Sequence, residues 1–219
     1  MAGVVKRDYR SDLRAAQALE TRRTVVATAA ELFTTHGYGT TTVDAIAAAA
    51  GVSRKTVFTA VGGKAELLKL ALDWAVTGDD APTPLAERPD VRELLGSDDP
   101  GDVLTRWAKV LTDIDGRVAA LHEALSVAAD TESEAKELLT QSDSERLAGS
   151  RQVVARVRTL GGLTPGLSVR DAADIAWLLT DPALYTRLVL RRNWSAARFE
   201  RWLAATLRTQ LASGAAAGS

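Results

Sequence analysis

Between Gly51 and Phe58 the chain reads Gly-Val-Ser-Arg-Lys-Thr-Val-Phe, so Ser53 to Thr56 set a hydroxyl, two cations and a second hydroxyl side by side. At the start of a helix such groups suit a polyanion, because that end already presents unbonded backbone N–H groups and partial positive charge. In helix-turn-helix motifs it is this N-terminal end that enters the DNA major groove. There Arg54 can hold guanine through two parallel hydrogen bonds, a pair contributing about 1 to 3 kcal/mol of discrimination. Lys55 can do likewise or contact phosphate, and Thr56 completes the exposed end. Thr42, Ser53, Thr59 and Lys64 fall at helix starts or on the rim, where phosphate contacts position a protein without specifying sequence.

These residues need two short helices and a tight turn to hold them. Residues 42 to 61, TVDAIAAAAGVSRKTVFTAV, supply that pattern. Ile46, Ala47 and Ala50 face the second helix, small alanines allow close approach, and Gly51 takes a turn where a left-handed backbone would strain other residues. Val52 and Val57 fill the junction. Thr42 or Thr41 caps the first of the two helices; with Thr41 as the cap, Asp44 would complete a capping box. Ser53 caps the second. Helix-turn-helix corners occur in many helical proteins, and solvated surface is the ordinary explanation of an Arg-Lys-Thr triplet, so the motif carries weight only with its surroundings.

Catalytic chemistry finds no comparable constellation. Gly62-Gly63-Lys64 ends like a phosphate-binding loop, but Phe58 stands in place of its first Gly and Ala65 in place of Ser or Thr. Gly166-Leu167-Ser168-Val169-Arg170 lacks the closing Gly of a nucleophile elbow. His122-Glu123 has no second His at zincin spacing, and the only other His is His36. With no Cys, disulfides and thiolate metal sites are excluded. No enzyme, metal or cofactor is expected.

The 219 residues are 46% apolar and 25% charged, the balance of a globular protein. The net charge of -1 conceals an asymmetry: residues 1 to 69 hold ten Lys/Arg against six Asp/Glu, and the remainder holds seventeen against twenty-two. A positive first third joined to an acidic body suits a polyanion-binding module on a larger support. No apolar run approaches the roughly 18 residues of a membrane span, and no apolar core follows Lys6, Arg7 and Arg10 as in a secretory signal. A cytoplasmic location follows, nucleoid-associated when bound to DNA.

Apolar residues recur at helical spacing with no sustained alternation, which predicts an all-α chain. The expected order is a basic, flexible leader over 1 to 17, a helix from about Leu19 to His36, short helices at 42 to 50 and 54 to 60, and a fourth from Lys64 to about Val76. The Pro-rich stretch Gly78 to Pro100 reads as a mobile loop with at most a short helix. Helices at about 101 to 128, 132 to 160, 168 to 180, 182 to 192 and 195 to 212 follow, then a Gly/Ala/Ser tail over 213 to 219. The domains are thus 18 to 63, the helix-turn-helix unit, and 64 to 212, a helical body.

Residues 22 to 70 strongly resemble the DNA-binding domain of the TetR family of transcriptional repressors: the first helix ends in Leu32-Phe33..His36-Gly37-Tyr38, then come Thr41-Thr42-Val43..Ile46-Ala47, Ala50-Gly51-Val52-Ser53..Thr56 and Lys64.Glu66-Leu67-Leu68. The C-terminal region, DIAWLLTDPALYTRLVLRRNWSAARFERWLAATL, resembles the body of actinobacterial-type members. The resemblance implies an N-terminal three-helix helix-turn-helix domain, a C-terminal ligand-binding and dimerisation domain, and a homodimer formed through about 182 to 212. It implies a repressor on a palindromic double-stranded operator, released by a small effector. Phe58 stands where the family has Tyr, retaining the ring as a DNA contact without the hydroxyl, and Ala60 lacks a phosphate-contacting group. The basic leader is then a candidate arm for the minor groove. A helical ligand carrier or scaffold with a vestigial helix-turn-helix is the alternative. All five tryptophans lie after residue 70. Trp107, Trp177, His122 and Tyr185 are the candidate effector contacts, and an apolar effector is expected because Arg106, Lys109 and Arg117 should face outward.

Overall fold

The computed structural model describes residues 2–212, with side chains from residue 13 onward. Ten α-helices are assigned among them: α1 Ala2–His36, α2 Val43–Ala49, α3 Arg54–Ala60, α4 Lys64–Thr77, α5 Pro89–Gly96, α6 Pro100–Ala129, α7 Ser133–Thr159, α8 Val169–Leu179, α9 Pro182–Tyr185 and α10 Ala196–Leu211. No strand is present among the described residues, so the all-α expectation holds.

α1 is longer than its apolar pattern. The inward stripe begins at Val25 and Val26, while residues 13 to 20 are all exposed. The segment over 1 to 17, expected to be a flexible leader, therefore continues the helix from Ala2. Between Val4 and Glu20 it contains neither Gly nor Pro and is rich in Ala, Arg and Leu. Propensity, rather than burial, extends it. The expected tail, 213 to 219, and the side chains of Lys6, Arg7 and Arg10 lie outside the described residues.

Two apolar cores share α6. In the first, Val25, Val26, Ala29, Phe33 and Tyr38 pack with Ile46, Ala47, Val57, Leu67, Leu68 and Ala71, and then directly on Val118, Leu121 and Leu125 of α6. The helix-turn-helix unit thus has no core separate from the body, and α4 is packed on both sides. In the second, Leu104, Trp107 and Ala108 pack on α7, α8 and the α10 stripe Phe199, Leu203, Leu207 and Leu211. That stripe, spaced by four, is turned into the protomer and wholly buried.

Two stretches differ from the sequence expectation. Gly78 to Pro100 holds a 3-10 turn, Leu85–Glu87, and then α5, whose Pro89 takes the first helical turn and whose Leu94 enters the second core. It is tied down: Arg88 makes two 2.6 Å bonds to Asp79, and Arg23 of α1 binds Asp80 at 2.7 and 3.0 Å. The expected helix over 182 to 192 is only α9, followed by a π-helical segment, Thr186–Arg191. It closes at Asn193, φ 56°, with the Trp194 N–H returned to the Leu188 carbonyl at 3.0 Å.

Candidate nucleic-acid interface

The turn between α2 and α3 is built as its residues require. Gly51 has φ 68°, a left-handed conformation that costs a side-chain-bearing residue about 1 kcal/mol or more. The Val52 N–H then bonds the Ala47 carbonyl at 3.0 Å, which closes the corner. Thr42, not Thr41, caps α2, its Oγ1 accepting from the Ala45 N–H at 3.1 Å. Thr41 is buried, and its hydroxyl donates to the Leu32 and Gly37 carbonyls. Asp44 therefore completes no capping box. Ser53 caps α3 through the Thr56 N–H at 3.1 Å, and the two hydroxyls lie 2.8 Å apart.

This corner buries Val57 and exposes Arg54, Lys55, Phe58 and Thr59. Arg54 lies 2.7 Å from Asp44 on α2, with both side chains more than half exposed, and its guanidinium sits 5.5 Å from the centre of the Phe58 ring. Ion pairing at such exposure contributes about 0 to 1 kcal/mol, so Arg54 is held near its place but readily released. The Thr59 hydroxyl is used internally, donating to the Lys55 carbonyl at 2.9 Å. Lys55 makes no ion pair among the described residues.

Sequence reasoning did not single out the opposite wall. A cleft of about 570 Å³ separates α3 from α1, with Ala18, Leu19, Thr21 and Arg22 facing Ser53, Lys55, Thr56, Thr59 and Ala60. Arg22 and Lys55 both border it, and neither is neutralised by a described acid. Neighbouring Arg23 is spent on Asp80. The i, i+1 pair Arg22-Arg23 looks equivalent in sequence; their different faces on α1 separate them.

Residues 25–71 match the family model described as bacterial regulatory proteins, tetR family. This segment is a TetR-family domain. No curated protein matches the chain. Three solved structures resemble nearly all of it. One named as a TetR-family transcriptional regulator from Rhodococcus sp. has a TM-score of 0.68 at 17% identity, covering 88% of this chain and 99% of its own. NalD, the secondary repressor of the MexAB-OprM multidrug efflux pump in Pseudomonas aeruginosa, gives 0.67 at 20%, covering 91% and 99%. One named as a transcriptional regulator from Saccharomonospora viridis, in complex with choline, gives 0.66 at 18%, covering 89% and 98%. At these identities the likeness concerns the fold.

Within the matched segment Lys64, expected from its position to contact phosphate, is engaged with groups of the protomer itself. Its Nζ donates to the Tyr38 carbonyl at 3.1 Å, stands 3.9 Å from the centre of the Tyr38 ring, and is 3.6 Å from Glu132 at the start of α7. Gly37, φ 85°, turns the chain so that Tyr38 enters the core against Phe33. Burial first, then Glu132, Glu134 and Glu66, push the Tyr38 hydroxyl up to about 12. Lys64 is thus a clasp between the domain and the body.

The four candidate effector positions are only partly gathered. Trp107 is buried in the second core, and Tyr185 packs edge-on against Phe199 with centroids 5.1 Å apart. His122 is buried on α6, and burial holds its ring below the usual imidazole value. Trp177 is half-buried beneath Arg146, whose guanidinium lies 4.7 Å from its ring centre. Sequence reasoning missed Asp115, about one turn before Ala119 on α6; Asp115 is 2% exposed. Its signal was an acid in step, at helical spacing, with the buried Thr112, Val118 and His122.

Proposed function

We propose that this chain, whose residues 25–71 match the TetR-family model, is a DNA-binding transcriptional regulator that acts as a homodimer on a palindromic operator and is released by a small molecule. The observation that carries the reading is the corner itself: Ser53-capped α3 offers Arg54 and Lys55 to solvent at its N-terminal end, within a TetR-family domain. Arg54 reads a base, Lys55 and Arg22 engage bases or phosphates across the α1–α3 cleft, and Thr42, Ser53, Thr56 and Thr59 set the register. Phe58, 46% exposed, offers an apolar face to a thymine methyl or a sugar.

Dimerisation in this reading uses what the protomer leaves uncovered. The inner stripe of α10 is spent on α6, so the apolar surface remaining in the C-terminal part is Leu178 on α8 and Leu190 after α9, exposed by 61% and 50%. The interface expected over 182 to 212 therefore extends to the outer face of α8. A small-molecule effector is supported by the choline complex of the S. viridis neighbour.

Release operates through α4. Arg117 of α6 donates to the Ala75 and Val76 carbonyls at 2.7 and 3.3 Å, holding the C-terminal end of α4, while Lys64 holds its start. A ligand that shifts α6 moves both recognition helices, and it does so only by its differential affinity for the two arrangements. Selection of bound sequences from random DNA by the full chain tests the function. A palindrome with half-sites about one helical turn apart, or a multiple, is the expected product. Failure to enrich any sequence at low salt would leave the carrier reading in its place.

A further inference from the structure

Further along α1 from the α1–α3 cleft, the helix-turn-helix unit and the body meet across a second one. About 430 Å³ in volume, it lies between the last turn of α1 with residues 37–40 on one side and the second half of α6 with the turn into α7 on the other. That volume suits a small ligand. Buried Phe33 and Ala128 border it, and along α6 its wall is Ala120, Ala124 and Val127, spaced by four and three so that all lie on one face. Val127 is 68% exposed, more than any other large apolar side chain among the described residues, so the protomer leaves this wall uncovered.

The polar side chains around the cleft accept hydrogen bonds rather than offer them. The Thr34 hydroxyl donates to the Ala30 and Glu31 carbonyls, and that of Thr40 to the His36 carbonyl. The tautomer of His36 follows from its neighbour. Thr35 spends its single hydroxyl hydrogen on the Glu31 carbonyl at 2.7 Å, so across the 3.0 Å contact with His36 it is the ring Nδ1 that donates, and Nε2 of the neutral ring is left as an acceptor. Glu123 and Glu132 add two carboxylates, each approached by a cation that does not border the cleft: Arg191 on Glu123, and Lys64, at 3.6 Å, on Glu132. A carboxylate has about four acceptor sites, so one cation apiece leaves both with lone pairs to fill. Glu134 and Glu66 act on Tyr38 together with Glu132, which keeps this end of the cleft acidic.

We propose that this junction cleft binds a small organic cation with N–H donors, an aryl or arylalkyl ammonium or amidinium ion, its donors toward Glu123, Glu132 and His36 and its apolar part on Ala124 and Val127. Lined by both units, the site is separate from any enclosed within the body. An occupant touches the end of α1 and α6 at once, beside the Lys64 clasp, and so favours one arrangement of unit and body over another. Its effect on DNA, which rests on the regulator reading, is that difference in affinity.

The chain has two histidines, which makes the site visible by nuclear magnetic resonance in the wild-type protein: His36 borders the cleft, whereas His122 is buried on α6 and does not. Benzamidine, titrated into the full chain in mildly alkaline buffer, should shift the His36 ring signals saturably at millimolar concentration and leave those of His122 in place; His36→Gln assigns the two sets. Benzyl alcohol, also a substituted benzene but uncharged, should bind at least about tenfold more weakly. Ala124→Leu, which fills the cleft, should abolish the shift, and Ala120→Leu, on the exposed part of the same wall, should do so if the first variant misfolds. His36 signals unmoved at millimolar benzamidine, a shift of His122 in their place, equal binding of benzyl alcohol, or undiminished binding by the filled variants overturns the proposal. At saturation benzamidine should change affinity for the selected operator by about fivefold or more, and the operator should change benzamidine affinity by the same factor. Operator affinity left unchanged overturns the control of DNA and keeps the site, whereas a chain that selects no operator and still binds benzamidine at His36 fails the regulator reading alone.

Discussion

Replacing Asp115 by Asn removes one ionisation and almost no volume, so its effect on stability isolates the buried carboxyl. The folded carboxyl titrates at about 8 because of burial, opposed by Arg146 and reinforced by Asp181; in the unfolded chain it titrates near 3.9. Between those values the native state keeps a proton that the unfolded chain has lost. Stability from this group is therefore full below about pH 4 and falls as pH rises through 8, by at most about 1.4 kcal/mol per pH unit. From pH 5 to 8 the loss is about 4 kcal/mol, or roughly 10 °C in Tm for a chain of this size. His122 works in the opposite sense. Its depressed folded pKa gives stability that is present above the unfolded value near 6.5 and lost as pH falls, but Asp115 is not among the groups acting on it, so it cancels between the two proteins. Urea unfolding followed by tryptophan fluorescence at several pH values between 5 and 8 measures the difference. The Asn variant should gain on the wild type steadily across this window. A difference flat with pH would show that Asp115 is ionised in the native protein and would refute the account of its environment.

Four further outcomes follow from the geometry. Arg54→Ala should lose about 1 to 3 kcal/mol at one base position and relax the preference there, measured by binding to single-base operator variants, whereas Asp44→Asn, which frees Arg54 from its 2.7 Å partner, should tighten operator binding by less than about fivefold. Lys64→Met should lower Tm by a few degrees through loss of its contacts with Tyr38 and Glu132 while leaving the salt dependence of DNA binding in place; a salt slope smaller by about one would instead make Lys64 a phosphate contact. Gly162→Ala should destabilise the chain by about 1 to 3 kcal/mol or more in urea unfolding, because the added carbon would stand 2.2 Å from Cβ of Pro100, in a ring that has little freedom to move aside.

What the sequence determined by itself is local. Gly51 and the hydroxyls of Thr42 and Ser53 set their corner by backbone conformation and by bonds reaching three residues along the chain, and α2, α3 and α4 begin within a residue of where those signals place them. The long helices α6, α7 and α10 are legible for the same reason: their apolar spacing follows a fixed period. Partnership over long distances was decided by the tertiary structure. Lys64 reaches Glu132, Arg23 reaches Asp80 and Arg117 reaches the end of α4, and nothing in the spacing of these residues distinguishes such a cation from one left in solvent, as Arg22 is. The α10 stripe is as apolar as a dimer interface would be, and only the fold shows that α6 already covers it. Asp115 marks the same limit from the inside. Its helical position is plain in the sequence, but whether a buried acid is paired or orphaned depends on which groups α7, the α8–α9 turn and α9 bring against it, and that is set by packing alone.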